Sequence, residues 1–139
     1  MSDPSIIERS VEKAHIWLDD MASEMGSDDR AQAYRALRAY LHALRDRLPV
    51  NEAAQLAAQL PELIRGIYYE GWTPSRTPVK YRGFDEFLTR VAEEALLDGE
   101  TEASFASSAA ASVLRRHVSA GEIDDIRAIL PEDLRPMLG

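Results

Sequence analysis

A short pattern occurs twice in this chain, in the same register and 70 residues apart. Residues 60–65 read LPELIR, and residues 130–135 read LPEDLR. At this offset the two halves align without gaps from about Ala103 onward, and Glu122 falls on Glu52. An ungapped match that carries helix breaks and apolar positions with it predicts an internal duplication.

The two Leu-Pro steps predict where a short helix ends in each half. A residue before proline is pushed away from helical geometry, so Leu60 and Leu130 should leave the helix and anchor in the core. Pro61 then begins a further helix, and Gly26 ends the first helix of the chain. The first helices of the two halves align only after a shift of three residues, which places Gly26 on Gly99.

Apolar residues spaced three and four apart predict amphipathic helices in both halves. The first helix should run from near Pro4 to Gly26, Ser27 or Asp28 should cap the second, and a short third helix follows Asn51. The stripe expected to face the core on the first helix comprises Ile7, Val11, Ala14, Leu18, Met21 and Met25.

We therefore expect an all-α protein, a helical bundle built from two duplicated four-helix units joined by a Pro-rich connector. The first unit covers about residues 4–69, the connector residues 70–83, and the second unit about residues 84–138. Each apolar stripe needs a partner to bury it, so residues 1–139 should form a single helical domain.

Composition narrows the classes of function. The formal net charge of −8 disfavours nucleic acid as a partner without excluding it. The chain has no cysteine, which excludes disulfides and thiolate metal sites. No apolar run is long enough for a membrane span, and the N-terminal residues do not read as a secretory signal, so the expected location is the cytoplasm.

Several segments resemble a known family. The segments LPVNEAAQLAAQLPELIRGIYYEGWTP, FDEFLTRVAEEA and LRRHVSAGEIDDIRAILPEDLRPML resemble the bacterial domain-of-unknown-function 2267 family. The resemblance covers nearly the whole chain, and its marks are the repeated Leu-Pro break and the Gly-Trp-x-Pro connector. It implies an all-helical bacterial protein, and it implies neither an activity nor catalytic residues.

The first helix contains the best candidate metal site. Glu12 and His15 form a Glu-x-x-His pair, with Glu8 and Asp19 one turn further out on the same face. Helical di-iron sites use this spacing because it aims both side chains at one ion, but they need a second such pair, which the sequence lacks. The alternative is a solvated charged face of an amphipathic helix.

Other polar residues favour structural roles. The acidic residues Glu122, Asp124 and Asp125 lie near a helix N-terminus, where negative charge is favourable, so capping explains them better than acid/base catalysis. His42 is expected on an exposed polar face. No Gly-x-Ser-x-Gly elbow or glycine-rich phosphate loop is present, so we expect no cofactor and lean against an enzyme.

The connector is the region that the duplication does not explain. Aromatic and basic residues interleaved on a loop could anchor a protein partner, or stack bases and pair phosphates of a nucleic acid. In the alternative interpretation, Tyr68 and Trp72 fold back onto the core. The candidate partner-binding residues are Tyr69, Trp72, Arg76, Lys80, Tyr81 and Arg82.

These observations favour a non-enzymatic, cytoplasmic protein-interaction or regulatory module with an unidentified protein partner. A nucleic-acid-binding protein that uses the connector remains an alternative, as does a helical bundle that binds metal or a small ligand on its first helix. Exposed edges of the apolar stripes would also allow a homodimer.

Overall fold

The computed structural model describes residues 3–81 and 83–139. These residues contain helices and no strand, which confirms the all-α class. Within these ranges, no helix is both long and apolar enough to cross a membrane. The α-helices are α1 (Asp3–Met25), α2 (Arg30–Arg47), α3 (Val50–Ala58), α4 (Glu62–Tyr69), α5 (Phe84–Ala95), α6 (Glu100–His117) and α7 (Ala120–Ile129), and 3-10 segments lie at Pro74–Arg76 and Glu132–Leu138.

The four longer helices pack across the two halves of the chain. α1 contacts α2 within its own half and α6 in the other half, while α5 contacts α6 within its half and α2 across. The buried apolar side chains from these helices and from the C-terminal 3-10 segment form one continuous cluster. The halves therefore share a core, because the second helix of each half is buried against the first helix of the other.

The repeated Leu-Pro step has the predicted structural role. Leu60 and Leu130 are only 2% and 1% exposed; Leu130 directly follows α7, and Leu60 lies two residues after the end of α3. In the first half, the Arg65 guanidinium donates hydrogen bonds to the carbonyl oxygens of Ala57 and Leu60, each at 2.8 Å. These bonds satisfy carbonyl groups that the end of α3 leaves without an intrahelical donor.

The orientation of α1 differs from the predicted stripe. Ile7 and Val11 are 62% and 38% exposed, whereas Trp17, which the stripe omits, is only 3% exposed. Ala14 and Met21 are buried as predicted. The apolar spacing predicts the helix but not its rotation, which depends on packing against α2, α4 and α6 together.

The ends of the first helices also differ from expectation. α1 ends at Met25 and Gly26 takes φ 64°, as predicted. α5 ends at Ala95, and Leu96 rather than Gly99 takes the left-handed conformation, with φ 59°. The predicted shift of three residues is wrong, because an exposed leucine takes the left-handed conformation that glycine takes in the first half.

The cap of α2 is Asp29, one residue later than predicted, and its side chain accepts a hydrogen bond from the backbone N–H of Gln32.

Candidate functional site

The aromatic side chains at the start of the connector pack against the protein. Tyr68 is buried, and its hydroxyl donates a hydrogen bond to the carbonyl oxygen of Ala53 at 2.9 Å. Tyr69 and Trp72 are half-buried, with their rings stacked and their centroids 5.1 Å apart. The alternative in which Tyr68 and Trp72 fold back is therefore confirmed for Tyr68, and Trp72 packs against the core with part of its ring exposed.

The end of the connector is anchored on α2. Tyr81 is only 5% exposed, and its hydroxyl donates a hydrogen bond to the carbonyl oxygen of Ala43 at 2.9 Å. This burial contradicts the prediction that Tyr81 contributes its ring to a partner-binding surface. Arg76 and Lys80 are exposed, and Arg82 lies outside the described residues.

Two polar residues of α2 hold the end of α4 and the start of the connector in place. Arg45 is 3% exposed and donates hydrogen bonds to the carbonyl oxygens of Tyr68 and Glu70 at 2.8 and 2.7 Å. The prediction that His42 is exposed is wrong, since it is 6% exposed. Its ring lies 2.7 Å from the carbonyl oxygen of Ile67, because the end of α4 packs on this face of α2.

Ionic contacts reinforce this junction. Arg38 on α2 pairs with Glu70 of the connector and, at 2.8 Å, with Glu94 of α5. The Arg38 guanidinium holds the pKa of Glu70 below its usual range. Glu94 also lies 2.8 Å from the His42 ring. The connector is thus anchored to α2 and α5 at its two ends, whereas residues 73–76 between these ends are exposed. Among its described predicted binding residues, Arg76 and Lys80 are exposed.

The predicted metal-binding residues of α1 do not converge. Glu8, Glu12 and His15 are exposed, and Asp19 forms an ion pair with Arg30 at 2.6 Å. In the part of the chain that the structure describes, the one group of three potential ligands lies elsewhere. The arrangement of these α1 residues matches the alternative of a solvated charged face.

A groove of about 580 Å³ runs along α1 beside the junction of α3 and α4. Residues three and four apart on α1 line one side of it, which is the spacing of one helix face. Trp17 and Leu60 also line it, although both are almost fully buried. Exposed lining residues are Ile6, Arg9, Lys13 and Ile16 from α1 and Glu62 from α4, and the half-buried Arg65 also lines the groove.

One end of this groove is fixed by contacts of α6. His117 lines the groove, stacks on Trp17 with ring centroids 4.9 Å apart, and places its Nε2 2.6 Å from a carboxylate oxygen of Asp20. These contacts hold the imidazole against α1. The groove is therefore built from three parts of the chain that are each fixed by packing.

A second candidate site lies where α3 meets α7. Glu52 and Glu122 are each the third residue of their helix, and they are only 8% and 6% exposed. One carboxylate oxygen from each of Glu52, Glu122 and the exposed Asp125 lies within 4.8 Å of the others. Burial, together with the neighbouring Glu52 carboxylate, raises the pKa of Glu122 to about 8. Like charges in a poorly solvated site disfavour ionisation of both groups.

Helix capping, the role predicted for Glu122, does not account for this geometry. Ser119 caps α7 by accepting the backbone N–H of Glu122 at 3.2 Å. The backbone N–H of Ser119, which a capping-box glutamate would accept, is donated instead to the side chain of Gln59 at 2.8 Å. The sequence did contain a signal for the pair, since Glu52 and Glu122 occupy matching positions of the two halves.

By its architecture this is an all-helical protein. Its four longer helices share one core across the two halves of the chain. The model of a family of uncharacterised conserved proteins, DUF2267, matches residues 14–137. The chain belongs to this family, as its sequence resemblance predicted. A comparison with curated proteins finds no match.

Proposed function

We propose that this protein is a non-enzymatic protein-interaction module that binds an acidic, partly apolar segment of a partner protein in the groove along α1. The observation that carries the proposal is the groove itself, in which basic side chains flank exposed apolar ones. Partner segments of this kind commonly bind as amphipathic helices, with apolar anchors three and four residues apart.

The charge of the groove favours an acidic ligand. Lys13 and Arg65 contribute two positive charges, and Glu62 contributes one negative charge. This local excess of positive charge lies on a chain whose formal net charge is −8. Complementary potentials accelerate encounter with an acidic segment and disfavour a basic one.

The apolar part of the groove favours a protein segment over a nucleic acid. Ile6 and Ile16 are 46% and 51% exposed, one on each side of Lys13 in the sequence. Leu63, the residue after Glu62 on α4, is 44% exposed. Burying branched side chains contributes affinity that a phosphate backbone would not exploit, because each buried methylene contributes about 0.8 kcal/mol.

We further propose that the chain consists of two duplicated four-helix units joined by the connector. Support comes from the helix bounds, since α2 and α6 begin at Arg30 and Glu100 and end at Arg47 and His117, in each case 70 residues apart. α1 and α5 end with the same offset. The fourth helix of the first unit is α4, and a 3-10 segment that contains Pro136 takes its place in the second unit.

The groove along α1 has no exact counterpart in the second unit, because α5 begins at Phe84 and lacks the early turns that carry Ile6 and Arg9.

Peptide binding by the full chain tests the proposed function. The probes are a labelled amphipathic peptide with Glu and Leu at helical spacing, a matched peptide with Lys in place of Glu, and a matched peptide with Ser in place of Leu. We expect binding, measured by fluorescence anisotropy, of the Glu/Leu peptide alone, and we expect salt to weaken it.

Two pairs of variants locate the binding. Lys13→Glu and Ile16→Asp should each weaken binding by about tenfold or more, which corresponds to about 1.4 kcal/mol. The matched controls are Arg76→Glu on the connector and Ile7→Asp on the part of α1 outside the groove, and both should bind as the wild type does. Equal binding of all three peptides would contradict the proposal, and binding of a short single-stranded oligonucleotide that Lys13→Glu abolishes would replace it with the nucleic-acid alternative.

A further inference from the structure

When both are ionised, Glu52 and Glu122 place two like charges in one poorly solvated site. Both side chains are more than nine-tenths buried. The Oε2 atom of each is buried and has no hydrogen-bond partner among the described residues. Burying a carboxylate without a compensating partner is costly, and a buried charge is usually paired or bound to a metal.

Among the described residues, no basic side chain pairs with Glu52 or Glu122. Within residues 3–81 and 83–139, Asp125 forms no ion pair with Arg, Lys or His either. The nearest capping donors are committed elsewhere, because Ser119 and Gln59 bond to each other. The unpartnered oxygens therefore have free lone pairs in a site that already brings three carboxylates together.

The third carboxylate gives the buried pair access to solvent. Asp125 lies one turn after Glu122 on α7, so both side chains project from one face of the helix. Asp125 is exposed, whereas the other two are buried. Such an arrangement offers two buried ligands and one ligand that is accessible to solvent.

The spacing of the oxygens suits a hard cation. The ligand oxygens lie within 4.8 Å of one another. Calcium binds oxygen at about 2.3–2.6 Å, so ligands on opposite sides of the ion are separated by up to about 5 Å. Magnesium requires shorter bonds of about 2.0–2.1 Å and retains more of its water. The three oxygens are therefore close enough to contact one calcium ion.

We propose that Glu52, Glu122 and Asp125 form a binding site for a divalent cation that prefers oxygen ligands, and that Ca²⁺ binds there. The ion would lie between α3 and α7 and join the two halves of the chain. Its two positive charges would satisfy the unpartnered oxygens of the buried pair. This site is separate from the groove along α1 and does not depend on the proposed peptide binding.

Calcium titration of the full chain tests the site. The protein is first treated with EDTA and then titrated with CaCl₂ in an isothermal calorimeter at about pH 9, where Glu122 is ionised. We expect saturable binding of one Ca²⁺ per chain. Because binding to the folded state stabilises it, Ca²⁺ should also raise the Tm of the wild type.

Conservative variants identify the ligands. Glu52→Gln, Glu122→Gln and the exposed Asp125→Asn should each weaken Ca²⁺ binding by at least about tenfold. Asp124→Asn is the matched control, since Asp124 is an exposed neighbour that pairs with Arg127, and its affinity should equal that of the wild type. Circular dichroism of each variant confirms that it is folded before the affinities are compared.

Two results would overturn the proposal. The first is the absence of saturable Ca²⁺ binding to the wild type under these conditions. The second is wild-type affinity in the folded double variant Glu52→Gln/Glu122→Gln, since this result would place any bound ion elsewhere on the acidic surface.

Discussion

Glu52 and Glu122 lie 70 residues apart in the chain, yet they meet as the buried third residues of α3 and α7. Each would ordinarily interact with the positive end of its own helix, where a carboxylate is stabilised by backbone N–H groups. The contact between α3 and α7 brings the two carboxylates to each other instead. The pair therefore links the two halves of the chain through groups that repel each other when both are ionised.

Stability should fall as the pH rises through the range in which Glu122 ionises. Burial and the nearby Glu52 raise the pKa of Glu122 to about 8 in the folded protein, above its ordinary value of 4.5. Between these values the folded state binds more protons than the unfolded state, so this stabilisation is complete below the unfolded pKa and is lost as the pH rises through the folded pKa. Since one pKa unit corresponds to about 1.4 kcal/mol, we expect a loss of more than about 1 kcal/mol between mildly acidic and alkaline buffer.

Urea unfolding in EDTA, followed across this pH range, measures the effect. Glu122→Gln removes the ionisable group while keeping its shape, and it should flatten the decline relative to the wild type. Asp124→Asn changes an exposed carboxylate beside it and should leave the decline unchanged. If the free energy of unfolding of the wild type instead rose across this range relative to that of Glu122→Gln, the prediction would be wrong.

Arg45 should be far more important for stability than the arginine at the matching position of the second half. Its buried guanidinium holds the carbonyl oxygens of Tyr68 and Glu70 and pairs with Asp46 at 2.7 Å. Arg45→Met leaves these groups without a donor, and we expect the free energy of unfolding to fall by about 3–5 kcal/mol.

Arg115→Met is the matched control for this prediction. Arg115 is exposed and bonds to the carbonyl oxygen of Leu138. A hydrogen bond of this kind contributes about 1 kcal/mol, so the loss should be several kcal/mol smaller than at Arg45. Chemical denaturation of both variants gives the comparison, and equal losses would show that the end of α4 does not depend on Arg45.

The sequence predicted helix positions well because their ends depend on local chemistry. Proline after Leu60 and Leu130, and glycine at position 26, act on neighbouring backbone torsions whatever the rest of the chain does. Leu96 escaped prediction since an exposed leucine carries no local signal for a left-handed turn. The rotation of α1 escaped it because three neighbouring helices decide which residues are buried.

The polar residues of the candidate sites were harder to predict than the helices. His42 and Arg45 have the sequence context of a solvated helix face. They are buried because the end of α4, more than twenty residues away in the chain, packs on them with its carbonyl oxygens. Glu52 and Glu122 occupy matching positions of the proposed repeat, yet their proximity in space depends on the contact between α3 and α7. Local pattern contains no information about either packing arrangement.

The connector should contribute to stability through Tyr81 and not through its exposed neighbour. Tyr81 packs into the core and receives the guanidinium of Arg90 over its ring at 5.0 Å. We expect Tyr81→Ala to lower the free energy of unfolding by about 3–5 kcal/mol, as for other buried aromatic truncations. Tyr81→Phe removes only the hydrogen bond to Ala43 and should cost about 1 kcal/mol. Lys80→Ala is the control, and its free energy of unfolding should remain within about 0.5 kcal/mol of the wild-type value in the same denaturation assay. An equally small effect of Tyr81→Ala would mean that the end of the connector is not packed.

Leu96 and Gly26 should respond in opposite directions to substitution. Both take a left-handed conformation directly after a helix, with φ 59° and 64°. Leu96 is 76% exposed, so Leu96→Gly loses little packing and relieves a conformation that costs a side-chain-bearing residue about 1–2 kcal/mol. An added Cβ at Gly26 meets nothing within 4 Å, so Gly26→Ala tests the backbone cost alone. Thermal and urea unfolding should show Leu96→Gly stabilised, and Gly26→Ala destabilised, by about 1 kcal/mol each. Leu96→Ala controls for the lost side chain, and its free energy of unfolding should be close to that of the wild type. A Leu96→Gly variant that is less stable than Leu96→Ala would be incompatible with a left-handed residue at this position.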